Sequence, residues 1–366
     1  MLKAFIRSKN PMFWILMHVV LGVACTVVRD VFMLWFLVFS FTSFGFITTG
    51  TKKVKLINAI YFISYVSSMS LLARMTKAYN YKLPWEFGKY VIFFGAIYLI
   101  LALNARRGLL GLLMFFLLIP AMFFGGDRDV QWHDIVFNLL GPISVCFAII
   151  AFTKTNITKQ QFRRLLKMVL YPAISVLAYV VIKTPDFDEI NFALGANFST
   201  TGGYGSNQVS TILGIGLFIC FLFWVNKWEL TGKRNLDLLL MFGFAFQGLL
   251  SFSRGGTIGG IIGILILSWM LTRSTGKMKS FFSLPRIGKF IIPSAIGLIL
   301  IFQIADAITG GLLSLRYTGQ TNLTLAGKSE VDLNTLTTGR FHIFEEDVKI
   351  WKDYFVMGSG AGVSQH

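Results

Sequence analysis

The stretch SFSRGGTIGGIIGILILSWML, residues 251–271, decides the fold. It joins a polar opening to an apolar run that is long enough to cross a hydrocarbon core of about 30 Å. Because lipid offers no hydrogen-bond partner to backbone N–H and C=O groups, an apolar run of this length has to be a helix. We therefore predict a membrane-spanning helix that begins next to Arg254.

The rest of the chain repeats this pattern. Its composition is 55% hydrophobic, 15% aromatic and 14% charged, with a mean hydropathy of +0.67, which is far from that of a soluble protein. The apolar runs are continuous rather than alternating, which indicates helices rather than strands. We predict an all-α, polytopic integral membrane bundle with about 11 to 12 transmembrane helices. The candidate spans are residues 12–28, 31–48, 54–73, 90–104, 108–124, 134–152, 165–182, 208–225, 236–252, 255–271 and 289–308.

Basic residues are distributed unevenly between the two sides that these spans create. With a cytoplasmic N-terminus, the inner segments hold most of the 34 Lys and Arg residues but only Glu229 and Asp237 among the 17 Asp and Glu residues. This is the positive-inside asymmetry of membrane proteins. Contact with anionic lipid then accounts for the net charge of +17, so we expect membrane lipid and no nucleic acid as a partner. The inner segments are residues 1–11, 49–53, 105–107, 153–167, 226–237 and 272–289.

We divide the chain into three parts. Residues 1–183 form the N-terminal transmembrane helices, residues 184–309 form the C-terminal transmembrane helices, and residues 310–366 form a large extracytoplasmic loop. The first apolar run follows basic residues, but no small-residue cleavage pattern comes after it. We therefore interpret that run as a retained span and not as a signal peptide.

Polar and charged residues are concentrated in the predicted outer segments. Residues 74–89 mix lysines with tyrosine and tryptophan, which suits either a glycan surface or an aromatic belt with snorkelling lysines. In residues 125–134, His133 or Asp134 predicts a capped helix start, with a general base or a ligand as the alternative.

The outer loop before Asn207 is rich in glycine. Its N–H groups and the dipole of the next helix can hold an anion, or the loop is a turn capped by Ser206 or Asn207. Arg254 precedes a helix in which small residues recur at four-residue spacing, a pattern that allows close helix packing. Because a charge at membrane depth is costly, Arg254 is a functional candidate, with snorkelling to lipid phosphate as the alternative.

The segment after residue 310 is too long to be a simple connection, and such loops are usually functional. Arg340 stands at the start of an apolar pattern with helical spacing, and this pattern predicts an amphipathic helix on the membrane surface or against the bundle. The amides of its first turn would also favour an anion. The apolar residues of this pattern are Phe341, Phe344, Val348, Trp351 and Phe355.

Four pieces of sequence follow one another, and the predicted topology places all of them on the outer side. They are Gly205-Ser206-Asn207, Ser253-Arg254-Gly255-Gly256, Thr338-Gly339-Arg340 with Trp351 downstream, and Gly358-Ser359-Gly360-Ala361-Gly362. In this order the pieces resemble the O-antigen ligase and polymerase superfamily, over roughly residues 190–366.

The resemblance implies a bacterial membrane glycosyltransferase of the GT-C type. Its donor would be a glycan carried on undecaprenyl pyrophosphate, and it would use neither a metal nor another cofactor. Arg254 and Arg340 match the family arginines that would bind the pyrophosphate. Two guanidiniums suit the charge that builds on the leaving group. Asn207 and Ser253 are secondary substrate contacts.

The family also carries a histidine in its large loop as the base for the acceptor hydroxyl. Here the chain departs from the pattern, because His366 is its last residue and the family histidine is normally followed by further spans. Either His366 is that base in a shortened chain, or the base lies beyond it, and we favour the second. His342 is a further candidate.

The expected function is glycan transfer at the outer face of the cytoplasmic membrane, with other polysaccharide-assembly proteins as candidate partners. Polymerisation of O-antigen, capsule or exopolysaccharide units is favoured, and ligation to a lipid A core is the alternative. A flippase or secondary transporter would place charges within the spans. Here Asp306 is the main such charge. A non-catalytic scaffold would not need two arginines at helix starts.

Overall fold

The computed structural model describes residues 2–3, 10–104, 108–123, 131–153, 155–190, 192–273, 288–356 and 359–361. These residues form α-helices and short 3-10 turns, and no β-strand occurs among them. The predicted all-α class is therefore confirmed.

A helix overlaps every predicted span. The N-terminal half contains α1 (Pro11–Val27), α2 (Val31–Thr48), α3 (Lys52–Ser68), α4 (Ser70–Met75), α5 (Phe87–Leu101), α6 (Leu109–Leu118), α7 (Pro120–Phe123), α8 (Trp132–Phe152) and α9 (Lys159–Lys183). The C-terminal half contains α10 (Ser206–Val225), α11 (Arg234–Leu250), α12 (Arg254–Arg273), α13 (Gly288–Ile308), α14 (Leu312–Tyr317), α15 (Asn322–Leu325), α16 (Leu333–Thr337) and α17 (Arg340–Asp353). The 3-10 turns are Ala78–Tyr81, Phe187–Glu189 and Ser199–Thr201.

Several helices have the length and composition of membrane spans. Within the described residues, five segments are long and apolar enough to cross a membrane, and further apolar helices are shorter. The chain therefore has the character of a helical membrane protein, while the number of spans and their orientation stay predictions. The five segments are Val31–Thr48, Lys52–Met75, Trp132–Phe152, Lys159–Lys183 and Ser206–Val225.

One large hydrophobic core runs through the bundle. Helix α9 packs on α1, α3 and α10, and α10 in turn packs on α11 and α12. Helices α5, α6 and α8 form a side layer, joined to the core where α5 meets α3. Helix α13 lies against α11. This arrangement brings the first residues of α10 and α12 together at one end of the bundle.

A polar network also joins the N-terminal helices. The buried His18 ring lies 2.7 Å from the Trp14 carbonyl oxygen and 2.9 Å from the Tyr65 hydroxyl, and it stacks on Tyr171 at 5.1 Å. The Trp35 indole N–H donates to the same Tyr65 hydroxyl. These contacts join α1, α2, α3 and α9. Hydrophobic burial alone does little to select which membrane helices pack together, so interhelical polar contacts add specificity.

A smaller hydrophobic cluster lies under the C-terminal segment. Leu249, Leu250 and Phe252 pack with Ala305 of α13 and Leu313 of α14. It fastens α14 to the turn between α11 and α12. Helix α14 is therefore held against the end of the bundle.

Helix α17 leaves its apolar side chains uncovered. Phe344 and Trp351 of α17, and Phe355 after its end, are each more than half exposed, and none of the residues of α17 is buried. The sequence predicts that this helix lies on the membrane surface or against the bundle, and both positions stay predictions.

Candidate functional site

The turn between α11 and α12 is rigidly held. Phe252 has a left-handed backbone (φ 54°), which non-glycine residues rarely adopt, and its ring is buried against Phe192 at 5.7 Å. The Thr200 hydroxyl donates to the Leu250 carbonyl oxygen at 2.5 Å, and Asn197 N donates to the Ser251 carbonyl oxygen at 3.2 Å. The loop before α10 thus fixes the direction in which α12 begins.

Glycine lets α12 approach α10 closely, as the small-residue pattern of the sequence predicts. A Cβ on Gly256 would stand 2.1 Å from the Ser210 carbonyl carbon, and one on Gly260 would stand 2.6 Å from the Gly214 carbonyl oxygen. Both distances are too short for any real Cβ. Gly259 faces open space instead. The first turn of α12 is therefore set by backbone contact with α10.

Arg254, the first residue of α12, is half-buried and reaches across to the C-terminal segment. Its Nη1 donates to the Arg316 carbonyl oxygen at 2.9 Å, and its Nη2 lies 3.4 Å from the Thr335 carbonyl oxygen. These partners are 62 and 81 residues away in sequence. Backbone carbonyls hold the guanidinium in place and leave its charge uncompensated.

Arg316 is a third arginine at this position, and no sequence motif indicated it. Its side chain donates to the Leu194 carbonyl oxygen and, through Nε at 3.3 Å, to the Phe252 carbonyl oxygen. Burial lowers the pKa of the Arg316 guanidinium, and the positive charges of Arg254 and Arg340 lower it further. The short helix α14 carries no pattern that could have marked this residue.

Arg340 comes from a different helix and points at the same place. It begins α17 directly after Gly339, which has a left-handed backbone (φ 80°). Its Nη1 lies 3.4 Å from the position that a Cβ on Gly255 would take. The structure thus brings Arg340 and Arg254 to the same end of α12. We refer to Arg254, Arg316 and Arg340 as the arginine cluster.

No carboxylate neutralises the arginine cluster within the part of the chain that the structure describes, since the ion pairs formed there involve other cations. Asp306 is close in sequence to Arg316, but its carboxylate accepts from Ser314 N at 2.8 Å and from the Ser314 hydroxyl at 2.5 Å. Among the described residues, the three like charges therefore repel one another without a counter-charge. An anion placed among them would relieve that repulsion.

The two secondary candidates contact each other beside the cluster. The Ser253 hydroxyl donates to Asn207 Oδ1 at 2.7 Å, and the Ser210 hydroxyl donates to Ser253 Oγ at 2.9 Å. The interpretation of Ser206 or Asn207 as a helix cap is wrong, because Gly205 is the N-cap and makes no side-chain cap bond. Asn207 instead fastens the first turn of α10 to the start of α12.

The structure does not bring His342 to the arginine cluster. His342 follows Arg340 by two residues on a helix, so their side chains point in nearly opposite directions. Its exposed ring lies 4.0 Å from the Glu345 carboxylate. His366 and Gly362 lie outside the described residues.

The expected cap at the start of α8 also differs. The N-cap is Gln131, without a side-chain cap bond, and not His133 or Asp134. Asp134 lies in the first turn of α8, 3.3 Å from the exposed His133 ring. Residues 125–130 of that segment are outside the described ranges.

In the described ranges, no group of three or more His, Cys, Asp and Glu side chains comes together. Comparison of the chain with protein-family models, with curated proteins and with solved structures finds no match. The geometry of the arginine cluster therefore carries the functional argument. Guanidiniums hold phosphate groups bidentately, and the N-termini of α12 and α17 add amide groups that favour an anion.

Proposed function

We propose that the chain transfers a glycan from an undecaprenyl-pyrophosphate carrier to an acceptor sugar at the outer face of a bacterial cytoplasmic membrane. The observation that supports this most is the arginine cluster without a partner carboxylate among the described residues. The anion is a pyrophosphate because it carries enough charge for several guanidiniums. The resemblance to the O-antigen ligase and polymerase superfamily supports the same substrate.

In the proposed reaction, the acceptor hydroxyl oxygen forms a bond to the anomeric carbon of the donor. The bond from that carbon to the pyrophosphate oxygen breaks, and its electron pair leaves with undecaprenyl pyrophosphate. The hydroxyl proton passes to a base. The arginine cluster holds the charge that grows on the leaving group, an effect that is largest where the donors are already fixed.

The residues have separate roles in this proposal. Arg254 and Arg340 contact the pyrophosphate, and Arg316 fixes Arg254 and adds charge. Asn207 and Ser253 hold the starts of α10 and α12 in register. His366 is the proposed base, and His342 would reach the site only after a rotation of α17.

Polymerisation of repeat units is the favoured outcome, and ligation of finished glycan to a lipid A core would use the same cluster. We favour a transferase over a transporter because the unpaired cations lie at helix ends. A transporter would need polar groups along a path within the helices. The polar groups around His18, in the middle of the helices, instead hydrogen-bond to one another.

A glycan gel tests the proposal. Cells that lack the gene are complemented with wild type, Arg254→Ala, Arg254→Lys or Arg340→Ala at equal membrane levels. We expect both alanine variants to lose long glycan and the lysine variant to recover little, since a point charge cannot replace the guanidinium fork. Retained single-unit glycan indicates a polymerase, and loss of all attached glycan indicates a ligase. Normal glycan in both alanine variants would contradict the proposal.

A further inference from the structure

A concave surface lies at the same end of the bundle as the arginine cluster. Residues before and in the first turns of α5 and α8 enclose a cavity of about 380 Å³. This size falls within the range of small-molecule sites in proteins, about 300 to 1,000 Å³. We call this cavity the indole cavity. Its aromatic and polar lining residues are Trp85, Glu86, Tyr90, Trp132, His133 and Phe137.

Aromatic rings dominate its walls. Trp132 is 61% exposed and Trp85 is 44% exposed, although both are large apolar side chains. In an aromatic belt, such rings would anchor separate helices at the lipid interface. Here indoles from two segments line one cavity. Exposed rings that share a cavity are typical of a binding site.

Trp85 is held in position before any ligand arrives. The Arg74 guanidinium lies 5.5 Å from the centre of the Trp85 ring, and Arg74 Nε donates to the Trp85 carbonyl oxygen at 2.8 Å. Arg74 Nη2 also lies 3.7 Å from the Glu86 carboxylate. A preorganised ring loses less conformational entropy when it binds a ligand.

The charges of the indole cavity are already matched. Glu86 pairs with both Arg74 and Lys89, and the Lys89 ammonium lies 5.3 Å from the centre of the Phe137 ring. The cavity therefore offers a phosphate much less than the arginine cluster does. The Glu86 carboxylate can still accept hydrogen bonds from hydroxyl groups, and the exposed His133 ring can donate or accept them.

This combination fits a sugar ring. One face of a pyranose presents C–H bonds that pack on an indole, while the hydroxyls around its edge hydrogen-bond to carboxylate and imidazole groups. A lipid tail would offer no hydrogen bond to the Glu86 carboxylate or to the His133 ring, whereas sugar hydroxyls would add to the bonds that these groups already make. A nucleic acid would need cations that are not already paired.

A series of contacts leads from the indole cavity to the start of α12, where Arg254 lies. The Trp85 ring lies 6.1 Å from the ring of Tyr204, centre to centre. Tyr204 is three residues before Asn207, whose side chain accepts from Ser253 next to Arg254. The cavity therefore lies at the end of the bundle where a glycan attached to a pyrophosphate in the cluster would begin.

We propose that the indole cavity is a sugar-binding subsite, in which Trp85 and Trp132 stack on one sugar residue and Glu86 and His133 hydrogen-bond to its hydroxyls. The inference rests on the proposed glycan transfer for the kind of molecule that is bound.

Saturation-transfer NMR on the protein in lipid nanodiscs tests this directly. The probes are lipid-free methyl glycosides of glucose, galactose, N-acetylglucosamine and rhamnose, which carry no phosphate. We expect at least one of them to receive saturation at the C–H protons of one ring face. Trp132→Ala should weaken its binding about tenfold, as expected for the loss of one stacking partner. Trp269→Ala is the matched control, because Trp269 is 56% exposed and lies outside the cavity.

Trp85→Ala and Phe137→Ala provide independent variants, and thermal unfolding shows that each variant is folded. The sugar subsite would be overturned if no probe received saturation. It would also be overturned if saturation survived in both Trp132→Ala and Trp85→Ala. Saturation should persist in Arg254→Ala/Arg340→Ala, since the cavity does not use the cluster. Sugar binding together with a normal glycan gel in the arginine variants would leave the cavity assigned and the transferase rejected.

Discussion

Two basic regions lie at opposite ends of α10, and they use their charges differently. At its C-terminal end, Lys159 and Arg163 lie over the Trp228 ring at 5.9 and 5.6 Å, and Arg234 lies over the Trp224 ring at 5.2 Å. We call Lys159, Arg163 and Arg234 the inner basic cluster. The arginine cluster lies near the N-terminal end of α10, roughly 30 Å away along a helix of this length.

The contrast is in what each cation contacts. In the inner basic cluster the cations rest on indole faces, an arrangement that suits a boundary between lipid and water. In the arginine cluster they converge, and the partners described for them are backbone carbonyls. Positive charge alone therefore does not identify a binding site. Cations that converge without a carboxylate among the described residues do indicate a binding site.

The sharpest test of this contrast is pyrophosphate binding. In nanodiscs of zwitterionic lipid, Arg254→Ala/Arg340→Ala should weaken the binding of inorganic pyrophosphate by about 100-fold or more, since each charged hydrogen bond contributes roughly 1.5–3 kcal/mol. Lys159→Ala/Arg163→Ala removes the same charge at the other end and should leave binding within about twofold. Isothermal titration calorimetry measures both. Equal losses in the two double variants would mean that only net charge matters.

A smaller effect is expected from the backbone that positions Arg254. Gly256→Ala places a Cβ 2.1 Å from the Ser210 carbonyl carbon, so α12 has to move away from α10. We expect a loss of stability of roughly 1–3 kcal/mol together with weaker pyrophosphate binding. Gly259→Ala is the control on the same helix, because a Cβ there meets nothing within 4 Å. Thermal unfolding and calorimetry should separate the two variants, and identical behaviour would refute the packing argument.

The smallest effect is expected at the inner basic cluster. Arg163→Ala removes a cation from the Trp228 ring and should lower the free energy of unfolding by about 0.5–1 kcal/mol, without changing pyrophosphate affinity. Arg163→Lys keeps a cation over the ring and should lose less. Thermal unfolding in the same nanodiscs checks this order. A change in pyrophosphate affinity would show that the two ends are coupled.

Local pattern predicted much of the candidate site. Arg254 and Arg340 were each expected at a helix start, and both begin a helix. Arg316 was missed because its short helix has no periodic pattern and its role comes from contacts with Leu194 and Phe252. The cap at Asn207 was misassigned, since its side chain turns to Ser253 on another helix.

The helices follow from the sequence alone, because apolar length and the need for internal hydrogen bonds in lipid act over neighbouring residues. The starts at Arg254 and Arg340 follow from it too, whereas the predicted caps of α8 and α10 are wrong. Only the tertiary structure decided that three arginines meet, and that indoles from α8 and the segment before α5 share a cavity. The contacts that assemble the arginine cluster join residues up to 122 positions apart, and their geometry depends on how helices pack. No local pattern encodes that packing.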